Sequence, residues 1–271
     1  MAEPRGAGAV KSAARVVEVL QAVALRPPGL TFTELLDATH IPRSSLHGLV
    51  HTLAERGVIQ LDAASKRYAP GPKLWELAMS YAQQLQLVPL AWPALEALRD
   101  TFDETVQMGV LNGADVVYVA KASSSHPMQM VSHVGSRLPA YATGLGKALL
   151  AGLAPAAVEA LLPPSLPRFT RDTLTERAAL QAELARVRER GYARDAGEYS
   201  ADVRCVAAPL VDHTGAVVAA VSVTMASERF QPEREAAIAP ALVAAMQRLS
   251  AQLGCLDWHR WRQKGVKRGA G

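Results

Sequence analysis

TFTELLDATHIPRSSLHGLVHTLAERG, residues 31–57, carries two short helical patterns that meet across a sharp turn. In the first, Phe32, Leu35 and Leu36 fall at i, i+3 and i+4. Thr31 stands ahead of them as a cap whose hydroxyl can accept the amide three residues on, and Glu34 stands there to reciprocate. In the second, Leu46, Leu49, Val50 and Leu53 form another apolar stripe, Pro42 suits a first helical turn, and Gly57 can close the helix in the left-handed conformation. Two helices joined by about four residues read as a helix-turn-helix. The second helix then presents Arg43, Ser44, Ser45, His47, Gly48 and His51 on its polar side, with short hydrogen-bonding groups near the N-terminus, where such helices approach base edges.

Working outward, Val58, Ile59 and Leu61, a polar turn at 62–65, and Lys66-Arg67-Tyr68 read as two strands of a wing whose cations, Lys66 and Arg67, could touch phosphate. Upstream, Val16, Val19, Leu20 and Val23 supply a third amphipathic helix. The expected organisation is a disordered arm (1–10), a winged helix-turn-helix domain (11–72), a linker helix (73–87), a second domain (88–254) and a basic tail (255–271). The net charge of +4 is no argument for nucleic acid. From Asp257 onward five basic residues face one acid, a surplus equal to that of the whole chain. The N-terminal residues lack the continuous apolar core of a secretory signal and no apolar run approaches a membrane span, so the cytoplasm is the expected compartment. Two cysteines, Cys205 and Cys255, make neither a disulfide framework nor a zinc site.

Beyond the linker, Pro89 and Pro93 punctuate the chain before an amphipathic segment at 94–104. Val106, Met108 and Val110 then alternate, Asn112-Gly113 signals a tight turn, and Val116, Val117 and Val119 complete a β-hairpin. A third apolar stretch at 128–131 leads into a loop (132–139) and helices at about 143–153, 155–162 and 175–190. Strands near 205–211 and 217–224 and a long helix from 232 to 253 follow. Strands at both ends with helices between them make an α+β domain with an antiparallel sheet.

Several motifs invite chemistry. Gly144-Leu145-Gly146-Lys147 resembles part of a phosphate loop, but Tyr141 and Ala148 stand where that loop needs Gly and Ser or Thr. Free amides at a glycine-rich helix start could still hold a carboxylate, or the glycines could serve close packing alone. His47 and His51 have ligand spacing but no third ligand nearby, so no metal is expected. Cys205 sits in an apolar strand with His213 in the next turn. It reads as a buried small hydrophobe, the rival being a nucleophile in a small-acid hydrolase or transferase. Ser222 and Thr224, two apart on an apolar strand, turn their hydroxyls to one side.

The winged module, GSRLPAYATGLGKALLA (135–151) and RGYARDAGEYSADVRCVAAPLVDHTGAVVAAVSVT (190–224) together resemble the IclR family of bacterial transcription regulators, over roughly residues 11–253. The resemblance implies a GAF-like sensor domain that binds a small organic acid, a homodimer or tetramer, operator DNA as partner, no cofactor and no enzymatic activity. Carried over, the effector site comprises Gly144, Leu145, Asp195, Cys205, Ser222 and Thr224. The wording LPAYATGLGKALLA is similar to the branch that senses aromatic acids such as 4-hydroxybenzoate, with Met108, Met128, Met130 and Val134 expected to set ligand size. Two features depart from the family: Gly48 replaces a common arginine on the recognition helix, and the basic tail with Trp258 and Trp261 runs past the last helix. DNA reading is therefore assigned to Arg43, Ser44, Ser45 and His47, with Lys66 and Arg67 on phosphate. A constitutive DNA-binding protein with an empty sensor domain is the remaining alternative.

Overall fold

The structure is a computed structural model that describes residues 10–24, 26–77, 87–126 and 132–265. It falls into two units, Met1–Gln86 and Leu87–Gly271.

The N-terminal unit contains α1 (Lys11–Ala24), β1 (Leu30–Thr31), α2 (Phe32–Thr39), α3 (Arg43–Glu55), β2 (Ile59–Leu61) and β3 (Arg67–Pro70). The capping box forms as expected: the Glu34 amide donates to Thr31 Oγ1 at 3.3 Å and the Thr31 amide to Glu34 Oε2 at 2.7 Å. Pro42 caps α3 from just outside instead of sitting in its first turn. At the far end Gly57, at φ 68°, lets its own amide reach Ala54 O (3.0 Å) and that of Val58 reach Leu53 O (2.9 Å), which satisfies two of the helix's last carbonyls. Val19 and Val23 of α1, Leu35 of α2, and Leu46, Val50 and Leu53 of α3 are buried together with Ile59. The wing pairs Leu61 with Tyr68 and Ile59 with Pro70. A two-residue strand, β1, adds to it through Thr31↔Arg67; two residues are too short to show a period. Residues 72–77 open a further helix, α4. The rest of the expected linker helix and the expected arm at 1–9 lie outside the described residues.

The second unit begins with α5 (Leu87–Phe102), earlier than the proline pair suggested. Pro89 falls in the first turn, where a missing N–H costs nothing, and the helix runs through Pro93. A six-stranded sheet follows in the order β6-β5-β4-β9-β8-β7, every neighbouring pair antiparallel. Its strands are β4 (Thr105–Asn112), β5 (Asp115–Ala122), β6 (Arg137–Pro139), β7 (Ala193–Asp195), β8 (Val203–Val211) and β9 (Val217–Ala226). Between β6 and β7 lie α6 (Gly144–Ala151), α7 (Pro155–Leu161) and α8 (Arg177–Arg190), and α9 (Pro232–Gln252) follows β9. The β4–β5 turn is Gly113-Ala114, one residue later than expected, because Asn112 pairs with Asp115 and Gly113 takes the positive φ of 59°. β6 occupies part of the expected loop at 132–139 by adding to the β5 edge, and the expected strand at 128–131 lies outside the described residues.

Strands β8 and β9 are buried at nearly every position, the pattern of a sheet covered on both faces. α6, buried at all eight residues, lies against the face that carries Cys205 and Ala207, and α9 also packs on β8. The tail is partly built into this unit. Residues Trp258–Gly265 form a 3-10 segment in which Trp261 is fully buried and Trp258 Nε1 donates to Pro209 O at 3.2 Å. Among the described residues no helix is long and apolar enough to cross a membrane.

Candidate functional site

On the N-terminal unit, α3 exposes Arg43, Ser44, His47, Gly48 and His51 along one side. Pro42 offers no side-chain cap, so the first-turn amides of α3 remain open to an anion. Arg43 lies 5.4 Å from the Phe32 ring, and His47 meets the same ring edge-on at 6.2 Å. Phe32 thus orients both from below. Ser45 is half-buried and accepts from Arg15 of α1 at 3.5 Å, a neighbour that helix periodicity could not reveal.

Lys66 and Arg67 part company. The wing turn is folded by Asp62, whose carboxylate accepts the Ser65 hydroxyl and the amides of Ala64 and Ser65, bonds that hold it below the usual carboxylate range. Lys66 leaves that turn at φ 57° with its side chain exposed. Arg67 instead forks onto Glu34 at 2.9 and 3.4 Å and onto Gly29 O at 2.8 Å. The guanidinium expected on phosphate therefore braces the wing to α2.

In the second unit all six effector-site candidates line one cavity of about 50 Å³. At its floor Thr143 caps α6 by accepting the Gly146 amide (3.1 Å), and its carbonyl accepts the Lys147 amide (2.9 Å). The amides of Gly144 and Leu145 stand at the helix start, where the dipole favours an anion, and Cys205 Sγ packs beside Gly144. A side chain at 144 could not be placed, because its Cβ would overlap that sulfur. Ser222 and Thr224 point into the cavity from β9 and share a hydrogen bond at 3.1 Å. On β7, two strands along from Thr224 through Cys205, Asp195 Oδ1 accepts the amides of Gly197 (3.0 Å) and Glu198 (2.9 Å).

The cavity also has walls that sequence reading missed. Gln107 stands opposite Ser222 across β4–β9 and donates to Ser132 Oγ at 2.7 Å. Tyr118, Leu138, Tyr199, Ser200 and Val203 complete the lining. Strand alternation could have flagged Gln107, a polar residue at the start of a buried strand; Tyr118 and Tyr199 give no such signal. Alternation also explains why Met108 is absent from the lining. It is fully buried, and its neighbour Gln107 takes the cavity side. Val134 is exposed and also outside the lining, while Met128 and Met130 lie outside the described residues.

Burial pushes the Asp195 carboxyl up, against the pull of Lys147 and of its two amide bonds. It pushes the thiol of Cys205 and the phenol of Tyr118 up as well, with Asp195 adding to both. A nucleophilic Cys205 would need the reverse shift. His213 cannot act as its base, because it lies past the far end of β8, about 20 Å of strand away. Among the described residues no three metal-ligating side chains cluster, and His51 instead meets Glu55 at 3.4 Å.

Residues 79–251 match the family model described as the bacterial transcriptional regulator IclR C-terminal domain, and residues 12–63 match the IclR helix-turn-helix domain. The chain is 33% identical over 244 residues to the HTH-type transcriptional regulator BhcR of Paracoccus denitrificans, covering 90% of this chain and 87% of that one. It is 31% identical to the HTH-type transcriptional regulator KdgR of Escherichia coli, covering 92% and 95%. Among solved structures, an IclR homolog from Microbacterium hydrocarbonoxydans, crystallised in complex with 4-hydroxybenzoate, aligns with a TM-score of 0.79 at 26% identity, covering 89% of this chain and 99% of that one.

Proposed function

This chain belongs to the IclR family of bacterial transcriptional regulators, and from that premise we propose that its cavity takes an aromatic carboxylate such as 4-hydroxybenzoate and that binding changes the operator affinity of α3. The observation that carries the reading is the cavity's mixed lining. The Gly144 and Leu145 amides and the hydroxyls of Ser222 and Thr224 are donors suited to a carboxylate. Asp195 and Tyr118 are suited to a ligand hydroxyl. The structure solved with 4-hydroxybenzoate lends support at the level of a relative.

The cavity's 50 Å³ is smaller than the roughly 150 Å³ that accommodates benzene in an engineered cavity. Seating a whole aromatic acid in it therefore requires lining side chains to shift, and a displacement that differs between two arrangements of the protein is what lets a ligand shift their populations. On the DNA side, Arg43, Ser44, Ser45 and His47 read bases and Lys66 anchors phosphate. Two copies, as a dimer or within a tetramer, address successive major grooves of a palindromic operator.

The test has two arms. Polarisation titration of the duplex upstream of the protein's own gene against random duplex at matched salt should show a clear preference; equal affinities would remove the operator assignment. A thermal-shift series with 4-hydroxybenzoate, benzoate and aliphatic 2-oxo acids should stabilise the native state most with the first, by about 2.7 kcal/mol at a hundredfold excess over Kd. No shift with any acid would leave a constitutive DNA-binding protein.

A further inference from the structure

Lys147 and Glu198 are in direct contact and nearly fully buried, with side-chain exposures of 1% and 7%. Neither lines the cavity. The pair is a poor device for stability. Moving two charges out of water costs several kcal/mol, which their attraction repays only with good geometry and further hydrogen bonds, and here Glu198 Oε2 is buried with no partner.

Its placement explains it better. Gly144 and Lys147 lie three apart on α6, hence on one face of the helix. Gly144 packs against Cys205; Cys205 stands opposite Asp195 across β7–β8; Asp195 closes the turn to Glu198 by accepting its amide and that of Gly197; and Glu198 returns to Lys147. The Lys147–Glu198 contact is the step that ties the turn to the side chains of α6. From outside, Thr170 and Thr173 donate to the Gly197 and Glu198 carbonyls at 2.7 and 2.6 Å. Those bonds seat the turn on a surface loop, whereas the ion pair seats it on the helix that offers the anion-binding amides.

We propose that Lys147 and Glu198 are positioning residues: by pinning the 195–198 turn to α6 they hold Asp195 in place beside the helix start, and so fix the acceptor that the cavity offers to a ligand hydroxyl. This rests on the reading of Asp195 as that acceptor. It assigns a role in specificity to two residues that touch no ligand.

The decisive variant is Lys147→Met with Glu198→Leu, which removes both charges and leaves an apolar contact, an exchange that buried pairs often tolerate without loss of stability. Lys147→Arg keeps the pin. Each protein is checked for an unchanged unfolding midpoint. Alkylation of Cys205 by iodoacetamide is then followed by peptide mass mapping, and affinity is measured for benzoate and 4-hydroxybenzoate, which differ by the hydroxyl that would reach Asp195. In the double variant Cys205 should react about tenfold faster through local opening, and the preference for 4-hydroxybenzoate should fall toward one, while Lys147→Arg stays near wild type in both. Unchanged reactivity and preference in a folded double variant would overturn the proposal, the threonine contacts then being sufficient. So would a uniform weakening of both acids with reactivity unchanged. If wild type binds neither acid, the effector reading fails, and a rise in Cys205 reactivity in the double variant still upholds the pin.

Discussion

Gly144→Ala is the smallest change that the cavity floor should register. The new Cβ would stand roughly 1 Å inside the 3.5–4.0 Å optimum for contact with Cys205 Sγ. Escape is closed on either side, since Asp195 Cβ and Ala207 Cβ already lie 3.5 and 3.6 Å from the same point. α6 itself is buried along its whole length and cannot back away without opening the core. Overpacking of this kind costs about 1–3 kcal/mol, and any shift of α6 also withdraws the Gly144 amide from an incoming carboxylate. Urea unfolding of wild type, Gly144→Ala, Cys205→Ala and the double variant forms a cycle. Removing Cys205 Sγ vacates the space that the new methyl needs. The double variant should therefore be more stable than the sum of the single losses by about 1–2 kcal/mol, well outside the 0.3–0.5 kcal/mol scatter of independent sites. Strict additivity would refute the steric account of Gly144, and with it the close approach of the α6 amides to the cavity.

The same substitution at Gly48 should have the opposite sign. A Cβ there meets nothing within 4 Å, so Gly48→Ala should raise stability by about 0.5–1 kcal/mol in urea unfolding, and a loss would mean that the helix interior is not open as described. Lys66→Ala should lower the salt dependence of operator binding by roughly one counterion with little change in melting, whereas Arg67→Ala should lower the melting temperature by loosening the wing from Glu34; exchanged phenotypes would reverse the two assignments. Glu198, raised by burial to about 7 despite Lys147, makes the native state bind a proton more tightly than the unfolded chain. That stability is fully present below the unfolded value near 4.3 and is lost as pH rises through about 7, with an upper bound on the order of 3–4 kcal/mol. Wild type should therefore melt higher at pH 5.5 than at pH 8, and Glu198→Gln should flatten the difference; an unaltered slope in the variant would place the titration elsewhere.

The elements legible in sequence were those long enough to show a period or a cap. Thr31 with Glu34, the α3 stripe closed by Gly57, and the two long strands that carry Cys205, Ser222 and Thr224 all have local causes, and the structure keeps them. β1, β6 and β7, at two or three residues each, exist because a neighbouring strand edge accepts them, which no local pattern records. The cavity divides in the same way. Its helix-start amides and paired hydroxyls follow from spacing and a family resemblance, whereas Tyr118 and Tyr199 come into it only through pairing and turn geometry far along the chain. Met108 shows the cost of guessing a lining from hydrophobicity: in an alternating strand the polar neighbour, Gln107, faces the cavity. Arg67 shows the parallel risk for charge. A cation at a wing suggests phosphate until the acid that already holds it is seen across the fold.

Charge decides how the proposed cavity can receive an acid. A ligand carboxylate beside an ionised Asp195 would set two like charges a few ångströms apart, a repulsion of about 4 kcal/mol at 4 Å and an effective dielectric of 20. A single hydrogen bond returns about 1 kcal/mol, so repulsion wins unless the two carboxyls stand at opposite poles or Asp195 is neutral. The fold favours the second remedy. Asp195 lies beside Gly144, its Cβ 3.5 Å from where a Cβ at 144 would stand, and burial pushes it toward its protonated form although Lys147 and two backbone amides pull the other way. Arg204, the remaining cation acting on Asp195, pulls in the same direction as Lys147, and Glu198 neutralises much of what Lys147 brings. The ion pair thus does for charge what it does for geometry: it keeps the buried ammonium occupied, so that the donors proposed for the ligand carboxylate are amides and hydroxyls in place of a fixed cation. Such donors discriminate among acids by shape as well as by charge, which is the behaviour the proposed sensor requires.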